Sequence, residues 1–129
     1  MTRRLISSGG PWEAVAGYSR AVAVGDSCWV AGTTDAGPDG RSRHPGDVAA
    51  QARAVFEIIS SALVEAGFTL SDVVRIRMFV TDIAAQWQAV SGVQAEVFRD
   101  IRPAATMVGV AGLIDPTLLV EIEAEARRG

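Results

Sequence analysis

The chain has 129 residues, 49% apolar and 21% charged, with a net charge of −3. That length suits one domain whose core needs no covalent staples, and the composition excludes a disordered chain. The acidic balance argues against a nucleic-acid backbone as the main partner, because such binding needs clustered positive charge.

The N-terminal MTRRLISSGG carries two arginines with no apolar stretch behind them, so it does not read as a secretory signal. Ser19 to Thr34 reads as a hairpin. Arg20–Val24 and Cys28–Ala31 flank Gly25-Asp26, and glycine at the first central position suits a type II′ turn. The glycine- and proline-rich segment Asp35 to Gly46 predicts a loop. Asp47 is positioned to cap a helix that ends near Gly67, with Val48, Ala52, Val55, Ile59, Ala62 and Ala66 forming its apolar stripe. Val73 to Thr81 alternates, which predicts a strand with Val74, Ile76, Met78 and Val80 on one face and Arg75, Arg77 and Phe79 on the other. Asp82 is placed to cap a second helix through Phe98, with Ile83, Trp87, Val90, Gln94 and Val97 or Phe98 along one side. Thr106–Ala111 and Leu118–Ala126 predict two last strands, joined by a turn at Asp115-Pro116.

The order is strand, hairpin, helix, strand, helix, strand, strand. It predicts an α+β fold, a single domain over 1–129, with two helices packed on one face of a mixed sheet. In the last strand Val120, Ile122, Ala124 and Ala126 share one face, and Glu121, Glu123 and Glu125 share the other. A sheet covered on one side only is a candidate to close into an oligomer through its other side. Arg75 and Arg77 are expected to pair with the acidic face of that last strand, across strands or between subunits, with ligand contact as the alternative.

Several chemistries are set aside. All 12 basic residues are arginine, which excludes a lysine Schiff base. The one cysteine, Cys28, allows no internal disulfide, points to a reducing compartment and reads as an inert buried thiol. The one histidine, His44, reads as a surface residue rather than part of a Ser-His-Asp centre. No spacing suggests a metal site and no phosphate loop is present, so no cofactor is expected. Trp12, Trp29 and Trp87 are not interleaved with basic residues, which speaks against nucleic-acid stacking. No apolar run approaches the ~20 residues of a membrane span. The expected location is cytoplasmic.

One set of motifs is recognisable. Arg102-Pro103-Ala104-Ala105-Thr106-Met107-Val108-Gly109-Val110, followed by Leu119-Val120-Glu121-Ile122-Glu123-Ala124, resembles the signature of the Rid (YjgF-like) family of imine/enamine deaminases. Tyr18-Ser19, Val30-Ala31-Gly32-Thr33, Asp47–Ala52 and Met78–Asp82 match that family in the same order, so the resemblance spans roughly residues 15–126. It implies a chorismate-mutase-like α+β subunit, a homotrimer with clefts between subunits, and cofactor-free hydrolysis of 2-imino or enamine acids to 2-keto acids and ammonia. A ribonuclease label once attached to such proteins fits poorly with one histidine and an acidic balance.

Carried over position by position, the resemblance makes Glu121 the residue that positions the attacking water. It places Tyr18, Gly32, Thr33 and Thr106 around the cleft. Two positions depart from the family pattern: Ala105 stands where the family has its carboxylate-binding arginine, and Ser91 where it often has asparagine. Losing a bidentate guanidinium costs about 2–5 kcal/mol of anion binding, an argument against general 2-imino acid deaminase activity. Arg102 reads either as an exposed loop arginine or as a substitute reaching the cleft mouth. The leading expectation is a trimer that hydrolyses or tautomerises a small metabolite. A non-catalytic ligand-binding or regulatory trimer is the alternative, and a pathway-specific enzyme is a third reading.

Overall fold

A computed structural model describes residues 2–129. In chain order the elements are β1 (Arg3–Ile6), α1 (Pro11–Ala16), β2 (Ala21–Val24), β3 (Ser27–Thr33), α2 (Val48–Glu65), a 3-10 turn (Leu70–Asp72), β4 (Val73–Thr81), α3 (Ile83–Phe98), β5 (Ala104–Val110) and β6 (Val120–Arg127). One six-stranded mixed sheet runs β1-β2-β3-β6-β4-β5. Helices α2 and α3 pack together on one face of it, α2 against β3 and β6, α3 against β4 and β5. The α+β class and the one-sided cover are therefore as the sequence predicts. The helix count is not: there are three, because α1 precedes the hairpin.

The hairpin β2–β3 closes over Gly25-Asp26, with Val24 paired to Ser27. Gly25 has φ +57° while Asp26 is not in the left-handed region, the type II′ pattern. Asp47 caps α2 by accepting the Ala50 N–H at 3.0 Å. All six residues of its predicted stripe are buried, from Val48 at 5% to Ile59 at 0% exposure. Their spacing turns one side of 18 residues onto the sheet.

Three details differ from the sequence reading. Val74 is exposed and Val73 is buried instead. Against β6, Val73 pairs with Ala126 and Arg75 with Glu125, so Val74 is the extra residue of a bulge and leaves the core face. In α3 the buried positions are Val90, Val93 and Phe98, whereas Trp87 is 47% exposed. Asp82 precedes α3 as expected, but its backbone is left-handed and its side chain makes no cap. The last two strands do not pair with each other. β6 inserts antiparallel between β3 and β4, and β5 pairs parallel with β4 at the sheet edge.

Candidate functional site

The sheet face opposite the helices carries the polar side chains of β3, β4 and β6. Arg77 lies across from Glu123 and reaches it at 3.0 Å, with Glu125 at 3.4 Å. Arg75 lies across from Glu125 but, among the described residues, makes no ion pair, and its buried Nε has no partner there. The expected pairing thus holds for Arg77 alone.

Further along the same face, β3 bulges against β6. Val30 pairs with Ala124 and Thr33 with Ile122, so Ala31 and Gly32 together face the single residue Glu123. A bulge displaces backbone groups from the ladder. The Gly32 carbonyl accepts a hydrogen bond from Arg20 Nη2 at 2.5 Å instead, and the Thr33 hydroxyl donates to the Ala31 carbonyl at 2.7 Å. Gly32 is also where Glu121 passes closest to β3. A Cβ there would collide with Glu121 Oε2 and lie 3.2 Å from its Cδ. Glycine is needed for that close approach, not for an unusual φ.

The bulge, the start of the hairpin and α1 border a groove of about 720 Å³ whose lining includes Trp12, Tyr18, Arg20, Gly32, Thr33 and Glu121. Proline at its start and Gly17 in the left-handed conformation at its end (φ 76°) confine α1 to six residues. The Tyr18 N–H then closes on the Glu13 carbonyl at 3.0 Å, which sets Tyr18 at the groove rim. Burial raises the pKa of Glu121 above its ordinary value; Arg20 opposes the shift and Glu123 adds to it. Burial likewise lowers the pKa of Arg20, against the attraction of Tyr18, Glu13 and Glu121. A carboxylate with weakened acidity beside a guanidinium, open to a cavity, is suited to accept a proton from water and return it.

Of the residues singled out from the sequence, Tyr18, Gly32, Thr33 and Glu121 meet in this groove. The others do not. Ser91 and Arg102 line a separate hollow beside Phe98 and Pro103. Arg102 is exposed, with a left-handed backbone (φ 57°), and does not reach the groove. Ala105 and Thr106 are exposed on the edge strand β5, across from Ile76 and Arg77.

Arg20 is the groove residue the sequence reading passed over. It sat unmarked at the start of an ordinary-looking strand, and only the bulge twelve residues on gives its guanidinium a place.

Cys28 is fully buried and burial raises its thiol pKa. His44 lies at the surface as expected, with Nδ1 3.1 Å from Oδ2 of the buried Asp35. The Ser42 hydroxyl donates to the same oxygen at 2.8 Å and accepts the His44 backbone N–H at 2.9 Å, so the serine is bonded to the carboxylate and not to the imidazole, and the pattern is not that of an activated nucleophile. Among the described residues, no group of three His, Cys, Asp or Glu side chains converges on a metal-sized point.

Comparison with known proteins places this geometry in context. Residues 10–128 match the family model described as endoribonuclease L-PSP. The crystal structure of Rv2704 from Mycobacterium tuberculosis, a member of the YjgF/YER057c/UK114 family, superposes with a TM-score of 0.89 at 48% identity, covering 98% of this chain and 100% of that one. A Rid-family protein of Yersinia pestis, YyfA, superposes with a TM-score of 0.84 at 29% identity over 98% and 100% of the two chains. In sequence, the 3-aminoacrylate deaminase RutC of Acinetobacter baylyi is 35% identical over 126 residues, 98% of either chain.

Proposed function

This chain belongs to the YjgF/Rid family, whose model is described as endoribonuclease L-PSP, and from that premise we propose that it is a hydrolase of a small imine or enamine, working without a cofactor in the Tyr18–Glu121 groove. The observation that carries this reading is Glu121: a half-buried carboxylate of raised pKa, seated over Gly32 at the groove wall. The RutC relative is named for the deamination of 3-aminoacrylate, an enamine, which supports the same reaction class.

In the proposed reaction a proton from solvent adds to the enamine carbon and leaves an iminium ion. Glu121 takes a proton from water as the water oxygen bonds to the iminium carbon. The carbinolamine formed is protonated at nitrogen by Glu121, the C–N bond breaks and ammonia leaves, and the carbinol hydroxyl gives its proton to solvent as the carbonyl forms. Glu121 ends as the carboxylate it began as, and the solvent proton taken up at carbon equals the one released at oxygen. Tyr18, Gly32 and Thr33 shape the walls around it.

Ser91, Arg102, Ala105 and Thr106 lie away from this groove. The reading therefore includes a homotrimer, in which a neighbouring subunit brings its β5 edge to the groove and the site lies between subunits. Alanine at position 105 then predicts weak turnover of 2-imino acids held by an arginine there. That position also motivates the second reading, a trimer that binds a ligand without consuming it. Among the described residues no helix is long and apolar enough to cross a membrane, and the proposed location is the cytoplasm.

The test is an imine-hydrolysis assay with 2-imino acids generated in situ by an amino-acid oxidase, run on the wild type, Ala105→Arg and Glu121→Gln. The expected outcome is weak wild-type activity, a gain in Ala105→Arg, and a loss of about 100-fold or more in Glu121→Gln. Activity undiminished in Glu121→Gln sinks the proposed role of this carboxylate. Ligands that raise Tm and are never consumed favour the binding reading.

A further inference from the structure

Arg20 has more hydrogen-bonding capacity than the protein uses. Its guanidinium has five N–H donors. Nη2 is held by the Gly32 carbonyl, and the buried Nε has no acceptor. Buried donors without partners are uncommon in folded proteins, and this one belongs to a side chain that lines the groove.

Glu13 and Glu121 attract the Arg20 guanidinium only from beyond ion-pair contact. Among the described residues, no carboxylate lies within 4.0 Å of Arg20 or of Arg43, which lines the same groove. Glu13 is engaged by the Ser8 hydroxyl and N–H. The groove thus presents two guanidiniums against the single carboxylate of Glu121. Its rim is apolar: Trp12 is 61% exposed and Ile114 85%. Cation inside and apolar surface outside fit a small organic acid with a hydrophobic body.

We infer that Arg20 is the anion anchor of this groove, holding the carboxylate of a small organic acid whose apolar part lies on Trp12 and Ile114. The bulge carbonyl fixes the guanidinium through Nη2, the enclosed Nε lies behind it, and Nη1 is the donor left to meet the ligand. The anchor thus comes from the start of the hairpin, beside Glu121, and not from position 105 on the sheet edge. The chain then selects acids by an anchor in the same groove as Glu121. The inference rests on the groove being the ligand site proposed above, but not on any turnover.

The experiment is calorimetric titration with phenylacetate and with its neutral counterpart phenylacetamide, on the wild type, Arg20→Gln and Glu121→Gln. The wild type is expected to prefer the acid by about 10- to 100-fold, the value of a charged hydrogen-bonded pair. Arg20→Gln is expected to abolish that preference while still binding the amide, and Glu121→Gln to keep it. A preference unchanged in Arg20→Gln, or equal loss of both ligands, reduces Arg20 to a prop for the bulge and overturns the inference. Should Arg20→Gln not fold, a wild-type complex with phenylacetate decides: a carboxylate on the Arg20 guanidinium supports it, and a carboxylate on Arg43 or outside the groove overturns it. Acid selectivity dependent on Arg20 without any imine turnover leaves the inference standing and the proposed reaction failed. Turnover without that dependence does the reverse.

Discussion

Glu121 is held where a carboxylate is least comfortable. Its folded pKa is raised by burial above the ordinary 4.5, so the folded state binds its proton more readily than the unfolded chain. Between 4.5 and the raised value the folded protein carries the extra proton, and stability from this group falls as pH climbs through that window. Two consequences follow with opposite signs. Hydrolysis needs the carboxylate, so kcat should drop as pH falls, with its inflection above 4.5. Stability should improve when the charge is removed: Glu121→Gln should raise Tm at pH 7 by roughly 1–3 °C, kept small by partial exposure, and give no gain at pH 4. Thermal melts of both proteins at the two pH values check this. Gly32→Ala separates position from charge. The added methyl pushes aside only the flexible end of Glu121, so stability should change little while kcat falls about 100-fold through misplacement of the base.

Single elements owe their placement to contacts that a one-dimensional pattern does not contain. Gln51 lies on the buried side of α2 with no exposure. Its amide donates to the His44 and Thr117 carbonyls, at 3.1 and 3.0 Å, and accepts the Leu119 N–H at 2.9 Å. One side chain therefore fastens α2 to the loop before it and to the entry of β6. Gln51→Leu keeps the bulk but leaves the Thr117 carbonyl and the Leu119 N–H unpaired, while the His44 carbonyl keeps the Asp47 N–H, and urea unfolding should show a loss of about 2–4 kcal/mol. The strand bulges are of the same kind. Val74 leaves the core because β4 and β6 differ by one residue over that stretch, and Gly32 reaches Glu121 because β3 and β6 do. Helix α1 escaped the sequence reading for a related reason: none of its six residues is buried, so it prints no apolar stripe.

At the scale of the molecule, the uncovered sheet face and the β5 edge are its unfinished surfaces. Trp29 is 46% exposed beside the Arg77–Glu123 pair and an Arg75 without an ion pair. Residues Ala104, Ala105 and Thr106 are exposed along β5, which has a strand on one side only. The proposed homotrimer should sediment at three times the 13.6 kDa chain mass, and a sedimenting monomer would remove the inter-subunit site from the proposal.

The sequence by itself determined the class and most of the elements. The period of α2, the alternation of β6 and the Gly25-Asp26 turn each record a local rule: one face buried, one face wet, one residue able to turn. Such rules act over a few residues and are written in order along the chain, as are the motifs that identify the family. What only the tertiary structure decided is set by residues far apart in sequence. That β6 lies between β3 and β4, that a bulge carbonyl holds Arg20 and that Glu121 rests on Gly32 all depend on strand register across about 90 residues of chain. A shift of one residue in that register would turn every one of these side chains to the opposite face.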